Sequence, residues 1–254
     1  CRIRPSLVEA RAPALLEDHG RFMRALEAED LLDRAVELLP TDEGLLERRK
    51  EGRGLTRPEL SVLVAYAKIT VFSEITRSDV PDDPYMERLL FDYMPGPIRA
   101  KYKGVLQTHR LRREIIATVA ANALVNEAGP TLHNRLREET GASVGEIVRA
   151  FIIVREVYGM PGIADEINTL DNKVSASTQT EMHLALSDMI AAQSLRLLQG
   201  GGNRSIGEAI ALYGPGVERI AATADGVITD FSKKRLAQRS AELIDAGAPK
   251  ELAQ

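Results

Sequence analysis

The sequence predicts an all-α fold, a multi-helix array or bundle with short Pro/Gly-rich connections, and three observations carry that expectation. Aromatic residues make up only 4% of the chain and Trp is absent, so the core must be built from Leu, Ile, Val and Ala rather than the β-branched and aromatic residues that strands favour. Apolar residues recur at three-and-four spacing, and no segment sustains period-two alternation. Helix-start signals recur as well: Thr56 with Glu59, Ser143 with Glu146 and Ser205 with Glu208 each place a hydroxyl three residues before a carboxylate, the pattern of a capping box.

Taken in order, residues 1–20 read as an irregular lead-in punctuated by Pro5, Pro13 and Gly20, with one helical stretch after Pro5. Phe22, Leu26, Leu31, Leu32, Ala35, Val36 and Leu39 then follow a helical period that Pro40 ends. Thr41 and Asp42 cap a short charged helix that stops near Gly52 and Gly54. From Thr56 the spacing of Leu60, Leu63, Val64, Ala67 and Val71 lines one helix face. SDVPDDP (residues 78–84) is turn chemistry, and Tyr85 to Met94 is a further helix. The strongest apolar signal runs from about Pro97 to Val125 as a central helix with a charged collar. Gly129-Pro130 breaks it, Thr131 caps the next helix, and Gly141 stops that helix in the left-handed conformation. Ile147 to Val157 is helical, Gly159-Met160-Pro161-Gly162 is a tight break, and Ile163 to Gln199 forms one or two long helices. Their core candidates are Ile167, Leu170, Val174, Met182, Leu184, Ala185, Met189, Ile190, Leu195 and Leu198. Gly200 to Asn203 is the most flexible point, and Gly214-Pro215-Gly216 is a final break. Three divisions follow: a lead-in over residues 1–55, a central helical domain over 56–199, and short C-terminal helices over 200–254 after the Gly-rich linker.

A net charge of −4 and a pI near 5.7 argue against nucleic acid as a partner, because phosphate binding requires a dominant positive field. No apolar run approaches the ~20 residues that cross a bilayer, so no membrane partner is expected either. The single cysteine, Cys1, cannot form an internal disulfide, which fits a reducing, cytoplasmic location. With no initiator Met, the chain reads as a piece of a longer protein.

The chemistry-bearing motifs are incomplete. Gly200 to Gly202 follows a helix and lacks the G-x-G-x-x-G spacing, and Gly214-Pro215-Gly216 has Arg219 where a third Gly belongs. His19, His109, His133 and His183 lie far apart without an H-E-x-x-H, so no metal site is expected. No nucleophile elbow is present, and the carboxylate pairs Asp82-Asp83 and Glu138-Glu139 read as solvated helix-end charge. No catalytic, cofactor or metal residue is therefore assigned. The remaining candidates are structural or interface residues. Thr56 and Glu59 form the capping box. His109, Arg110, Arg112, Arg113 and Glu114 form the collar of the central helix. Glu138 and Glu139 are the carboxylates expected to receive those arginines, and Asn122 and Asn126, four apart on one face, could extend the polar network.

GLTRPEL (54–60), PDDPY (81–85), HRLRREIIAT (109–118), Asn122 with Val125-Asn126, EETGAS (138–143) and REVYGMP (155–161), in this order and spacing, resemble the large, NAD-specific bacterial glutamate dehydrogenases. The resemblance covers most of the chain, from Arg11 to Ala253, with departures at Gly162-Ile163 and at Gly200 to Gly202. It implies a C-terminal helical region whose dinucleotide-binding fold and catalytic residues lie upstream. The whole enzyme would oxidise L-glutamate to 2-oxoglutarate and ammonium, passing a hydride to NAD. This segment would bind no cofactor, would be inactive alone, and would support the upstream catalytic domain of the same polypeptide or assembly of a homo-oligomer. The alternative is a regulatory domain in which the arginine collar, Asn122 and Asn126 line a pocket for an anionic effector.

Overall fold

The computed structural model describes residues 8–201 and 204–253. Among them every regular element is helical, and the helices are α1 (Leu16–Ala28), α2 (Asp42–Lys50), α3 (Arg57–Arg77), α4 (Glu87–Tyr93), α5 (Gly96–Gln107), α6 (Arg112–Ala128), α7 (Leu132–Thr140), α8 (Val144–Val157), α9 (Met160–Asn168), α10 (Ala176–Gly200), α11 (Ile206–Val227), α12 (Asp230–Asp245) and α13 (Lys250–Ala253). The chain divides into two compact units, residues 1–150 with 194–201, and residues 151–193 with 202–254. The first division thus falls within α8, and position 199/200 lies inside α10.

Unit one is organised around α6. Its buried residues Ile116, Ala117, Ala120, Ala121, Leu124 and Val125 include three alanines, small enough for backbones to approach closely, and both α3 and α4 pack against it. Helix α3 offers Leu60, Leu63, Ala67, Val71 and Ile75, all buried; each large side chain contributes about 1.5–3 kcal/mol on leaving water. Leu16, Phe22, Met23 and Leu26 of α1, Leu45 of α2, and Leu60, Leu63 and Ala67 of α3 share one core cluster with Val125. The expected capping boxes form: the Thr56 N–H donates to Glu59 at 2.7 Å, Ser143 to Glu146 at 2.8 Å and Ser205 to Glu208 at 3.1 Å. Gly141 ends α7 at φ +72° as the sequence suggests, and Thr41 accepts from the Gly44 N–H at the start of α2.

Gly54 holds the lead-in against α3. A Cβ there would lie 2.3 Å from the Ala12 carbonyl carbon and 2.5 Å from the Pro13 nitrogen, so the backbones cross where no side chain fits. The glycine is a close-approach residue more than a helix stop.

Four local expectations are corrected. The helix read through to Leu39 ends at Ala28, because Asp30 turns left-handed and the Asp33 carboxylate takes the Ala35 N–H. The stretch from Pro97 to Val125 is two helices, α5 and α6, separated at residues 108–111. Thr131 makes no side-chain cap at α7. Helix α11 runs straight through Gly214-Pro215-Gly216, tolerated because the carbonyl that loses its partner belongs to Ala211, which is exposed to water.

Unit two has a smaller core of Ile167, Leu170, Met182 and Ala248, with Val174, Leu186, Leu243 and Leu252 packed against it. Gln179 donates to the Ile167 carbonyl at 2.8 Å, and Arg239 of α12 meets Glu181 of α10 at 2.8 Å. Along α10 the buried stripe includes Gln179, Met182, Ser187, Ile190 and Ser194, while the expected Ala185 is exposed and Leu184, Met189, Leu195 and Leu198 are only half-buried. Three polar residues on the inward face shifted the apparent phase of that helix. Pro5 and Cys1 lie outside the described residues, as do Gly202 and Asn203 of the expected flexible point.

Candidate functional site

The collar at the start of α6 grips the turn between α3 and α4. Arg113 forms an ion pair with Asp82 and also donates to the carbonyls of Thr76 at 3.0 Å and Ser78 at 2.8 Å. Those carbonyls belong to the C-terminal end of α3, where the helix leaves acceptors without intrahelical donors and a cation is favourable. Arg112 donates to the Pro81 carbonyl at 3.0 Å. From α8, Arg149 binds Asp83 at 2.8 Å and Asp79 at 3.0 Å. The start of α8 lies close to this turn at Gly145, where a Cβ would meet the Ser78 side chain at a tight 3.2 Å.

Three guanidinium groups thus hold the three carboxylates of the SDVPDDP turn. The Asp83 side chain is only 3% exposed and also caps the turn by accepting from the Tyr85 N–H at 2.9 Å. The Arg149 hydrogen bond holds Asp79 below the ordinary carboxylate range. The arrangement neutralises charge and fixes three helices.

The expected partners of the collar are therefore corrected. Glu138 pairs with Arg21 of α1 at 3.1 Å and accepts from Asn134, and Glu139 lies 3.7 Å from Arg135 one turn away on its own helix. Asp83 is a buried, paired carboxylate, not a solvated one; Asp82, with side-chain exposure of 56%, is nearer that expectation. Arg110 is exposed, with no protein partner among the described residues, and the His109 Nδ1 accepts from the Leu111 N–H at 3.1 Å. Glu114 is half-buried, its carbonyl accepting from the Thr118 hydroxyl. Arg149 and Asp79 escaped the sequence reading; an aspartate-rich turn flanked by prolines was the available signal that cations must converge there.

Asn122 and Asn126 do not join this network. Asn122 lines a groove of about 400 Å3 between α3 and α6, with Lys68, Ile69, Phe72, Thr118 and Ala121. It lies about 15 Å along the helix axis from Arg112 at 1.5 Å per residue, and the collar arginines are not among the residues lining this groove. Asn126 is half-buried one turn further.

Thr56 and Glu59 do more than cap. Arg48 of α2 binds the Glu59 carboxylate through two nitrogens, at 2.6 and 2.8 Å. Burial opposes ionisation of Glu59, but the Arg48 guanidinium and the Thr56 cap outweigh it and hold its pKa below the ordinary value. The capping box thereby ties α2 to α3.

Two imidazoles in unit one are wholly enclosed. His19 is 0% exposed and His133 2%, and the His133 ring meets Phe22 edge-on at 5.0 Å between centroids. Burial lowers the pKa of His19 to about 4; burial, aided by the Arg137 charge, lowers His133 to about 3. Both are neutral at physiological pH, and both nitrogens of His19 lack a hydrogen-bond partner. They are packing groups in a core, not acid–base groups facing a cleft.

Among the described residues no group of three or more His, Cys, Asp or Glu is placed to hold a metal, and no helix is long and apolar enough to cross a membrane. A dinucleotide needs a strand leading through a glycine turn into a helix, where bare N–H groups meet the pyrophosphate. Among the described residues Gly200 closes the 25-residue helix α10 and Gly201 follows it, so these glycines come after a helix and not after a strand.

Residues 52–254 match the family model for the C-terminal region of glutamate dehydrogenase. The chain is similar to the NAD-specific glutamate dehydrogenase of Halomonas elongata, with 36% identity over 92% of the chain and 15% of the relative. It is similar to that of Pseudomonas aeruginosa, 35% identical over 98% of the chain and 15% of the relative. The Mycobacterium tuberculosis protein of the same description is 27% identical over 96% of the chain and again 15% of its own length. The chain therefore spans about 15% of the length of the curated relatives it matches.

Proposed function

The chain belongs to the family of the C-terminal region of glutamate dehydrogenase, and from that premise we propose that it is the non-catalytic helical segment of an NAD-specific glutamate dehydrogenase. In the whole enzyme, L-glutamate, NAD+ and water would become 2-oxoglutarate, ammonium, NADH and a proton. The upstream part of the polypeptide would perform that chemistry, and this segment would bind no cofactor, hold the catalytic part in its working arrangement and contribute to a homo-oligomer.

The observation that carries this reading is the engagement of the strongest polar cluster. Arg112, Arg113 and Arg149 are bound to Asp79, Asp82, Asp83 and the main-chain carbonyls of Thr76, Ser78 and Pro81 within the same fold. Side chains fixed in this way organise helices and are not available to a reacting substrate. An effector site built on the collar has less support, because Asn122 and the arginines lie at separate places on α6.

The test is truncation of the full polypeptide before this segment. Loss of most NAD-dependent glutamate oxidation, with a change in subunit assembly measured by light scattering, is the expected result. Full activity and unchanged mass per particle in the truncated protein would contradict it.

A further inference from the structure

The connection between α1 and α2, residues 29–41, displays apolar side chains outward. Leu31, Val36 and Leu38 are 48%, 74% and 84% exposed, whereas Leu32 and Leu39 of the same stretch point into the core. An unconstrained connection would turn such residues inward; this one is held. Arg34, itself nearly buried, donates to Glu27 at 2.7 Å, Asp42 at 3.0 Å and the Pro40 carbonyl at 3.2 Å. Asp33 accepts from the Ala35 and Val36 N–H groups, and the Tyr66 hydroxyl donates to Glu37 at 2.8 Å. Leu38 sits at φ +54° and Asp30 at φ +55°, a conformation costly for a leucine and persistent only where the surroundings over-determine it. The apolar trio is therefore pre-organised, which reduces the ordering cost of docking.

Within the connection itself the exposed charge is acidic, although Glu29 at its start is paired with Arg137 of α7 at 3.4 Å. Glu29, Asp30 and Asp33 are exposed on the same connection, and its only cation, Arg34, faces inward onto Glu27 and Asp42. The complementary surface is an apolar depression rimmed by Lys or Arg. A symmetric contact between two copies of this patch would set these carboxylates against themselves, and most of the length of the matched relatives lies outside the region they share with this chain.

We propose that Leu31, Val36 and Leu38 form the anchor by which this segment docks on the portion of its own polypeptide outside residues 1–254, in an apolar depression rimmed by basic residues. The inference rests on the supporting role proposed above and names the surface that performs it.

The test uses the full polypeptide with Val36 replaced by p-benzoylphenylalanine, photolysed and mapped by mass spectrometry, with the same group at exposed Glu43 as control. The expected result is one dominant cross-link to a peptide outside residues 1–254 containing Lys or Arg, its yield falling several-fold as salt is raised. A cross-link to residues 1–254 of the same or a second copy overturns the proposal, as does a yield at position 36 no greater than at 43, or a yield that salt leaves unchanged. Because truncation tests the supporting role separately, failure here with loss of activity on truncation would discard the anchor and leave that role standing.

Discussion

Replacing Arg149 by Met removes a charge while keeping much of the side-chain volume, and its consequence follows from the unequal exposure of its two carboxylate partners. Asp83 is almost fully enclosed, at 3% side-chain exposure, whereas Asp79 is 83% exposed. Breaking a buried pair by removing one member costs about 3–5 kcal/mol, because the remaining charge stays desolvated. Asp83 keeps its hydrogen bond from the Tyr85 N–H, which lowers the expectation to about 2–3 kcal/mol on that scale. Asp79→Asn removes an exposed partner of the same arginine and should cost under about 0.5 kcal/mol. Urea denaturation of each variant, followed by far-UV circular dichroism, measures both. Equal losses for the two variants, or a loss below about 1 kcal/mol for Arg149→Met, would refute the claim that the clamp acts through buried Asp83.

Other substitutions probe separate links in the fold. Gly54→Ala drives a methyl into the Ala12–Pro13 backbone and should cost at least the ~1–3 kcal/mol typical of overpacking, against roughly 1 kcal/mol for Gly52→Ala, where only a positive φ is at stake; thermal melting separates them. Stability should fall as pH drops from 6.5 towards 4 and 3, because the unfolded chain takes up protons at His19 and His133 that the folded chain refuses. Above pH 6.5 both states hold neutral imidazoles and this contribution is complete. His19→Leu should flatten the decline between pH 6.5 and 4 in denaturation midpoints, and an unchanged slope would show that His19 is not protected. Pro215→Ala restores a donor inside α11 and should stabilise that helix by up to ~3 kcal/mol, seen as slower amide exchange at residues 211–220; no slowing would mean the helix is interrupted in solution.

The legible parts of the fold were those where one local rule sufficed. The three capping boxes, the Thr41 cap, the left-handed Gly141 and the apolar line along α3 each depend on residues within a few positions of one another. The collar was recognised as a cluster, but its partners were misplaced. Asp79, Asp82 and Asp83 come from a turn whose approach to α6 and α8 is set by helix packing, and the close approach of Gly145 to Ser78 looks ordinary in sequence. Long-range packing also decides α10, where Gln179, Ser187 and Ser194 occupy the buried face, and residues 29–41, where a buried arginine stabilises a connection of turns that apolar spacing reads as a continued helix. Asn122 and Arg112 share a helix, but the groove that Asn122 lines does not include the arginine.

The most direct measurement of the central claim is the rate of NAD-dependent glutamate oxidation by the full polypeptide, by the polypeptide lacking this segment, by the 254-residue chain alone, and by the truncated protein after that chain is added back. A supporting segment predicts no turnover from the chain by itself, a deficient truncated protein and recovery of rate on mixing. Turnover by the chain alone, or full turnover without it, would contradict the account.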